Sequence, residues 1–462
     1  MRSMPIWRLF ERRSSNWPRK NPLNMRVQII TNLFAPDELA GASLFTDLAV
    51  FLKERGHDVR VTCTFSYYPA WKLRPEDRGL SLREETYAGI PVRRVAMFVP
   101  RRPTGKSRML SDLSFLSALV RRGAHPGWNP DVVLTALPML SQCLAQRFLY
   151  WGKRIPRVIV VQDFVVEAAL ELGILRLPGL ERLLHGVQRW SLRSAQTLLT
   201  ISPIMLDKLR GVVGPDRRAC YVPNWIHRSL QQEIDRQTSS VTVRQARTLF
   251  YAGNLGVKQG LPAFLKQFRT PAVSQSGWHL KIHGGGAERD RLASEVEHTP
   301  GCELGPVLDE SEYVTALRTT AACLITQCPG LGSNFLPSKL LPALASGTPV
   351  LAVCEPSSPL GREIIEGGFG EVVDPGNPEM LAKTLNRWSR QPQLLSEMQS
   401  RALCRAQVFH RDRILALYEQ ELLTLAARRA DRNAPARPRR SRRSAAATRS
   451  DTELVSSEDR SH

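Results

Sequence analysis

The sequence predicts an α/β chain with two doubly wound parallel sheets, on three observations. Short apolar runs such as Arg26-Val-Gln-Ile-Ile-Thr, Thr248-Leu-Phe-Tyr-Ala and Val350-Leu-Ala-Val have the length and residue types of strands covered on both faces. Several of these runs lead into a glycine-containing turn and then an amphipathic stretch, the alternation expected of parallel sheets. This opening occurs twice, near Arg26 and again near Thr248, and 462 residues are enough for two domains.

The elements follow in order. Residues 1–24 lack an apolar segment of signal-peptide length and read as an extension, either disordered or upstream of the true start. Met25 opens the first strand. A loop from Leu33 to Gly41, a helix from Ala42 to Arg55 and a strand from Val59 to Cys63 follow, with Gly56 and His57 closing the helix. Val158-Ile-Val-Val is a further buried strand, ending in Gln162 and Asp163 with Glu167 beyond. Tyr221 to Asn224 closes this unit, which spans 25–230, and a polar stretch from Gln231 to Gln245 separates it from a second unit at 246–393. There a strand and turn end at Gly253-Asn254, a helix covers 261–269, Leu280 to His283 runs into Gly284-Gly285-Gly286, and a helix starts near Glu288. Pro337 and Ser338 read as a helix start, Leu340, Leu341, Leu344 and Ala345 as its apolar face, and Gly347-Thr-Pro349 as its stop. This places Lys339 in a first helical turn, where free N–H groups and an ammonium suit a phosphate. Residues 394–427 read as crossover helices, and the Arg-, Ser-, Ala- and Pro-rich stretch 428–462 as a disordered tail.

The net charge of +21 is concentrated at the ends: +5 in residues 1–24, +8 in 428–449 and −3 in 450–462, leaving +11 for the body. A positive body suits anionic substrates or a membrane surface, whereas a solvated tail implies no specific nucleic-acid partner. No run of 18 apolar residues is present, so no transmembrane helix is expected. Eight cysteines without a Cys-x-x-Cys pair or nearby histidines read as free, buried thiols of a reducing compartment, not as structural zinc ligands.

The segment Pro337-Ser338-Lys339-x5-Ala345-Ser-Gly-Thr-Pro-Val350 resembles the donor-binding helix of family 4 retaining glycosyltransferases. Its Pro-Ser-Lys form is most similar to bacterial exopolysaccharide enzymes of the colanic acid type, and the similarity covers roughly residues 25–425. The resemblance implies a GT-B fold, two Rossmann-like domains facing across a cleft, with the last helix returning to the first domain and a nucleotide-diphosphate sugar as donor.

Further likenesses imply site residues. Gly253-Asn254-Leu-Gly-Val-Lys258-Gln-Gly260 resembles the family's diphosphate loop, with Asn254 where an arginine is usual and Lys258 holding the diphosphate. Gly284-Gly285-Gly286 with Glu288 and Arg289 resembles its Gly-x-Gly loop, a weak signal alone. Gly305 and Val307 stand in the segment implied to line the base, and Ser338 and Leu340 flank Lys339 at the donor helix. Gln327 and Ser333 are implied sugar contacts. Gln162-Asp163 resembles the strand end that faces the donor sugar, although Asp163 also reads as a cap for the following helix. Asp37, Glu38 and Gly41 lie on the loop implied to face donor phosphate and acceptor. Asn334 and Pro342 occupy the positions of two glutamates usual in the family.

Lys258, Asp163 and Lys339 are therefore the expected catalytic groups, working by positioning and electrostatics during a same-face attack. No Asp-x-Asp motif is present, and with lysines as the cations neither a metal nor a cofactor is expected.

Residues 101–122 set Leu110, Leu113, Leu116 and Leu119 among five arginines and Lys106, and Arg176 to Arg193 repeats the basic amphipathic pattern. Each reads either as a helix lying on an anionic bilayer or as one packed on its own sheet. The expected function is transfer of a hexose or deoxyhexose, by subgroup analogy fucose, to a lipid-linked saccharide. The setting is the cytoplasmic face of the membrane, in bacterial surface-polysaccharide synthesis. A nucleotide-sugar 2-epimerase and a non-enzymatic nucleic-acid- or membrane-binding protein are the alternatives.

Overall fold

The structure, a computed structural model, describes residues 24–37, 40–68, 70–101, 104–136, 140–164, 179–238, 243–330 and 336–433. Glu38, Glu167, Ser333, Asn334, residues 1–23 and the tail beyond residue 433 lie outside them.

The continuous apolar runs form the expected buried strands. The first sheet contains β1 (Arg26–Ile30), β2 (Asp58–Thr64), β3 (Leu82–Tyr87), β4 (Ile90–Val95), β5 (Val132–Ala136), β6 (Arg157–Val161), β7 (Thr197–Thr200) and β8 (Arg218–Tyr221). Their order is β3-β4-β2-β1-β5-β6-β7-β8, parallel throughout apart from the edge pair β3–β4. The second contains β9 (Gln245–Ala252), β10 (His279–His283), β11 (Cys302–Gly305), β12 (Thr320–Thr326), β13 (Val350–Val353) and β14 (Gly370–Val373), in the all-parallel order β11-β10-β9-β12-β13-β14. In each sheet the winding direction reverses, beside β1 and beside β9. Doubly wound sheets bind ligands outside the carboxyl ends of their strands at such reversals. In the second sheet these ends are Gly253-Asn254 after β9 and Gln327-Cys328 after β12.

The last helix, Arg411–Asn433, returns to the first sheet. Ile414, Leu415, Tyr418, Leu422 and Leu425 join the core built by Val27, Val61 and Leu134. Polar anchors fix its position: Arg411 donates to both oxygens of Asp47, which also accepts from the Trp225 indole at 2.9 Å. Glu419 accepts from Arg55 at 3.0 Å and meets His57 at 2.9 Å. His57 is thus structural, although its partner lies in the crossover helix. Burial tends to raise the Glu419 pKa, but hydrogen bonds from His57 and Arg55 outweigh that and hold it below the usual carboxylate value.

Two expectations need correction. The helix continues through residues 428–433 of the supposed tail, because Arg429 hydrogen-bonds the Pro130 carbonyl and lies 3.7 Å from Asp131. The donor helix is shorter than expected, Leu340–Ala345, and Lys339 stands at its N-cap instead of inside its first turn. Pro342 is the reason. A helix beginning at Ser338 would need an N–H from residue 342, whereas a start at Leu340 leaves the proline in the first turn, where no donor is required. All eight cysteines are free; Cys63, Cys143, Cys323 and Cys354 are buried, while Cys404 is exposed.

Candidate active site

At the end of β9 the chain turns sharply. Gly253 has φ +122°, and its N–H donates to the His283 carbonyl at 2.9 Å. A Cβ on Gly253 would stand 2.7 Å from Cε of Lys339, and one on Gly284 would stand 1.9 Å from the Gly253 oxygen. The two glycine turns and the lysine therefore nest at distances no side chain allows. Leu255 donates to the Gly285 carbonyl at 2.8 Å, and Asn254 packs across Gly286. Arg289 hydrogen-bonds the carbonyls of Gly284 and Gly305, fastening the ends of β10 and β11 together. Its role is to hold the loop. A Cβ on Gly285 would stand 3.4 Å from Cγ2 of Val307, whose side chain is largely exposed.

Lys339 enters this nest from the N-cap of the helix Leu340–Ala345. Its ammonium hydrogen-bonds the Tyr251 hydroxyl and lies 3.7 Å from the centre of that ring. The same hydroxyl donates to the Asn254 carbonyl at 2.8 Å. Burial pushes the Lys339 pKa down from 10.5 to about 7. The unfolded chain therefore holds this proton across that interval while the folded chain releases it, so the group's effect is to raise stability as pH rises from about 7 to 10.5. Tyr251 escapes sequence reasoning because it looks like any other aromatic on a buried strand.

Lys258 sits in a single 3-10 turn, Val257–Gln259. Its ammonium reaches Asp163 of the first unit, with Nζ 2.7 Å from Oδ2. The other carboxylate oxygen, Oδ1, is buried without a hydrogen-bond partner. Beside it, Gln162 and Asn224 exchange amide hydrogen bonds at 2.9 and 2.8 Å. The helix that Asp163 was expected to cap lies outside the described residues. The Lys258 carbonyl accepts from Cys328 N at 2.9 Å, which ties the loop to the end of β12.

The remaining expected residues divide. Ser338 is exposed beside Lys339. Leu340 is a correction: its side chain is fully buried in the core and its N–H donates to the Pro337 carbonyl, leaving it no group for a ligand. Gly41 falls in the first turn of the helix Ala40–Glu54, not in the preceding loop, with open space on its Cβ side. Asp37, in the loop after β1, is raised above the ordinary carboxylate value by burial, only partly offset by Ser66 and by the charges of Arg94 and Arg74. Gln327 lines a separate hollow along the helix Leu261–Phe268. Among the described residues, no group of three His, Cys, Asp or Glu has the arrangement of a metal site.

Lys339 and two glycine turns thus meet at the carboxyl end of β9, and Lys258, on the loop that follows β9, faces an aspartate carried by the other sheet. Such a site can neutralise a developing anion with fixed charges and dipoles. Residues 42–225 match the family described as glycosyl transferase 4-like domain, and residues 246–391 match glycosyl transferases group 1. The chain is a family 4 glycosyltransferase. This glycosyltransferase is 25% identical, over 77% of its length and 90% of the relative's, to the putative colanic acid biosynthesis glycosyl transferase WcaI of Escherichia coli. Its GT-B fold is that of the catalytic domain of starch synthase IV from Arabidopsis thaliana, bound to ADP and acarbose. That match has TM-score 0.60 and 12% identity, covering 88% of this chain and 100% of the other. It is likewise similar to WaaG, a glycosyltransferase involved in lipopolysaccharide biosynthesis, with TM-score 0.54 and 16% identity over 88% and 98% of the two chains.

Proposed function

We propose that this enzyme transfers a hexose or deoxyhexose from a nucleotide-diphosphate sugar to a lipid-linked saccharide, with retention of configuration, in bacterial surface-polysaccharide synthesis. The observation that carries the reading is the meeting of Lys258, on the loop after β9, with Asp163 at the carboxyl end of β6 in the opposite domain. The diphosphate lies against the Gly253 and Gly284 turns, displaces Asp163 from Lys258 and receives a second positive charge from Lys339. Asp163 is then free to hydrogen-bond the sugar or to steady positive charge at the reacting carbon. The leaving phosphate oxygen takes the acceptor's proton on the same face. The lysines serve as the cations, and no metal is required. The similarity to WcaI, of colanic acid biosynthesis, and to WaaG, of lipopolysaccharide biosynthesis, supports the polysaccharide setting. The colanic acid resemblance makes GDP-fucose the first donor to test.

The test is nucleotide release from a panel of GDP- and UDP-sugars with and without a lipid-linked acceptor. Release that requires the acceptor supports transfer. Interconversion of the nucleotide sugars without acceptor marks an epimerase, and no turnover of any donor overturns the reading.

If charged Lys339 holds phosphate, affinity for the matching nucleoside diphosphate should fall as pH rises above about 7. The slope should approach about tenfold per pH unit until the bound-state pKa is passed. Titration calorimetry between pH 6 and 9 checks this, and Lys339→Arg should flatten the profile.

Membrane attachment belongs to the same proposal. The helix Gly105–Arg122 packs Phe115 and Leu119 inward but leaves Met109, Leu110 and Leu113 exposed, Leu113 by 56%. One face of that stretch is thus packed on its own domain, and the exposed apolar face supports the membrane reading for the other. Trp151, 72% exposed, stacks on Phe148, and Arg147 lies over Trp190 on the helix Leu180–Leu192. Apolar, tryptophan-bearing and basic groups together suit the interface of an anionic bilayer. Neutralising Arg121 and Arg122 to Gln should weaken binding to phosphatidylglycerol vesicles by about 2 kcal/mol, roughly 30-fold. Sedimentation with vesicles measures it, and equal binding to neutral vesicles would count against the proposal.

A further inference from the structure

Lys339 carries its charge on a long, flexible stem, and a cation so mounted serves a fixed site only if something sets its direction. Among the described residues no carboxylate pairs with this ammonium. The titratable groups packed against it are the Cys323 thiol on β12 and the Tyr251 phenol on β9. Burial pushes the thiol up to about 12 and raises the phenol as well, so both are neutral at pH 7. Tyr313, near both on the helix Glu310–Thr319, is shifted the same way. Direction must therefore come from a neutral group.

Tyr251 is rigid where Lys339 is not. Its side chain is fully buried in the core with Leu249, Leu255 and Leu261. Its hydroxyl has one proton, which goes to the Asn254 carbonyl at 2.8 Å, so a lone pair is left to accept from the Lys339 ammonium. The electron-rich ring face meets the same ammonium, with Nζ 3.7 Å from its centre. Both features favour the charged amine and oppose the effect of burial. The ammonium held in this way lies over the turn at the end of β9, since a Cβ on Gly253 would stand 3.4 Å from Nζ.

We infer that Tyr251 is a positioning residue for Lys339, holding its ammonium over the Gly253 turn through one hydroxyl lone pair and one ring face. The consequence for the donor rests on the proposed transfer reaction: without the hydroxyl, Lys339 binds the terminal phosphate more weakly and only at lower pH. The same hydroxyl ties the lysine to the loop through the Asn254 carbonyl, so lysine and glycine turn keep one relative placement.

The experiment is a double-mutant cycle of Tyr251→Phe and Lys339→Met on the full chain. It is read by titration calorimetry with UDP, GDP, UMP and GMP between pH 6 and 9. Tyr251→Phe keeps the ring and should melt as cooperatively as the wild type. Its pH profile for the bound diphosphate should move down by about one unit, which is about a tenfold loss of affinity at pH 8. Monophosphate affinity should stay as it is, and in the Lys339→Met background the tyrosine substitution should cost nothing further. An equal loss in both backgrounds or for both nucleotides, no loss at all, or a Tyr251→Phe chain that fails to fold makes the hydroxyl structural and overturns the inference. Competitive acetylation of the free protein, read at Lys339 by mass spectrometry over the same pH range, needs no nucleotide. If Lys339→Met leaves diphosphate affinity unchanged, the phosphate assignment fails and the acetylation midpoint decides. A midpoint that Tyr251→Phe displaces to lower pH upholds the role of Tyr251, and an undisplaced one overturns it.

Discussion

Replacing Lys258 with alanine is expected to lower kcat for sugar transfer by about 10²–10³-fold, the effect typical of deleting one group aimed at a developing oxyanion. Negative charge on the leaving diphosphate grows as the glycosidic bond breaks, so a cation already in place stabilises the transition state more than the ground state. Stability should hardly change. The Lys258 and Asp163 side chains are 31% and 22% exposed, and a solvent-screened pair of this kind contributes little to folding, about 0–1 kcal/mol. Steady-state rates paired with thermal melts check both halves. A variant with near-normal kcat would remove Lys258 from the chemistry, and one that failed to fold would make it a structural tether.

Removing Arg411 is expected to destabilise the protein by about 3–5 kcal/mol, the range for leaving a buried charge without its partner. Arg411 and Asp47 are 9% and 6% exposed, and the guanidinium contacts both carboxylate oxygens. Without it Asp47 keeps the Trp225 indole, a neutral donor, for a full charge. Urea denaturation of Arg411→Ala measures the loss, and Arg411→Ala with Asp47→Asn should recover part of it. A loss below about 1 kcal/mol would mean that the apolar face of the last helix suffices to dock it. Glu419 anchors the same helix with a lowered pKa, so its contribution is present above the ordinary carboxylate range and is lost as pH falls through the folded value.

Much of this molecule is legible in one dimension because buried parallel strands are written as unbroken apolar runs. Val350–Val353 is a strand of the expected extent, and the glycine turns at Gly253 and Gly284 fall where strand ends were anticipated. Errors arise where one residue outweighs a pattern. Pro342 shortens the donor helix, and Arg429 extends the last helix by finding a partner on the first domain. The edge strand β3, Leu82-Arg-Glu-Glu-Thr-Tyr, lacks an apolar run because one side faces solvent, and it is held by Glu84–Arg93 and Glu85–Arg94 pairs. The site was legible in its glycines and lysines but not in its pairings. Lys258 and Asp163 are 95 residues apart and meet only through the placement of two domains. Tyr251 acquires its role only when Lys339 folds against it.

The central claim is that Lys258 and Lys339 hold the terminal phosphate of the donor nucleotide, and the affinity ratio of nucleoside diphosphate to nucleoside monophosphate tests it most directly. Calorimetry with GDP against GMP, and UDP against UMP, should give the wild type a preference for one diphosphate of at least about tenfold, equivalent to about 1.4 kcal/mol. In Lys258→Ala and Lys339→Met the ratio should approach one, with monophosphate binding little changed. A ratio that survives in both variants would place the phosphate elsewhere and contradict the account.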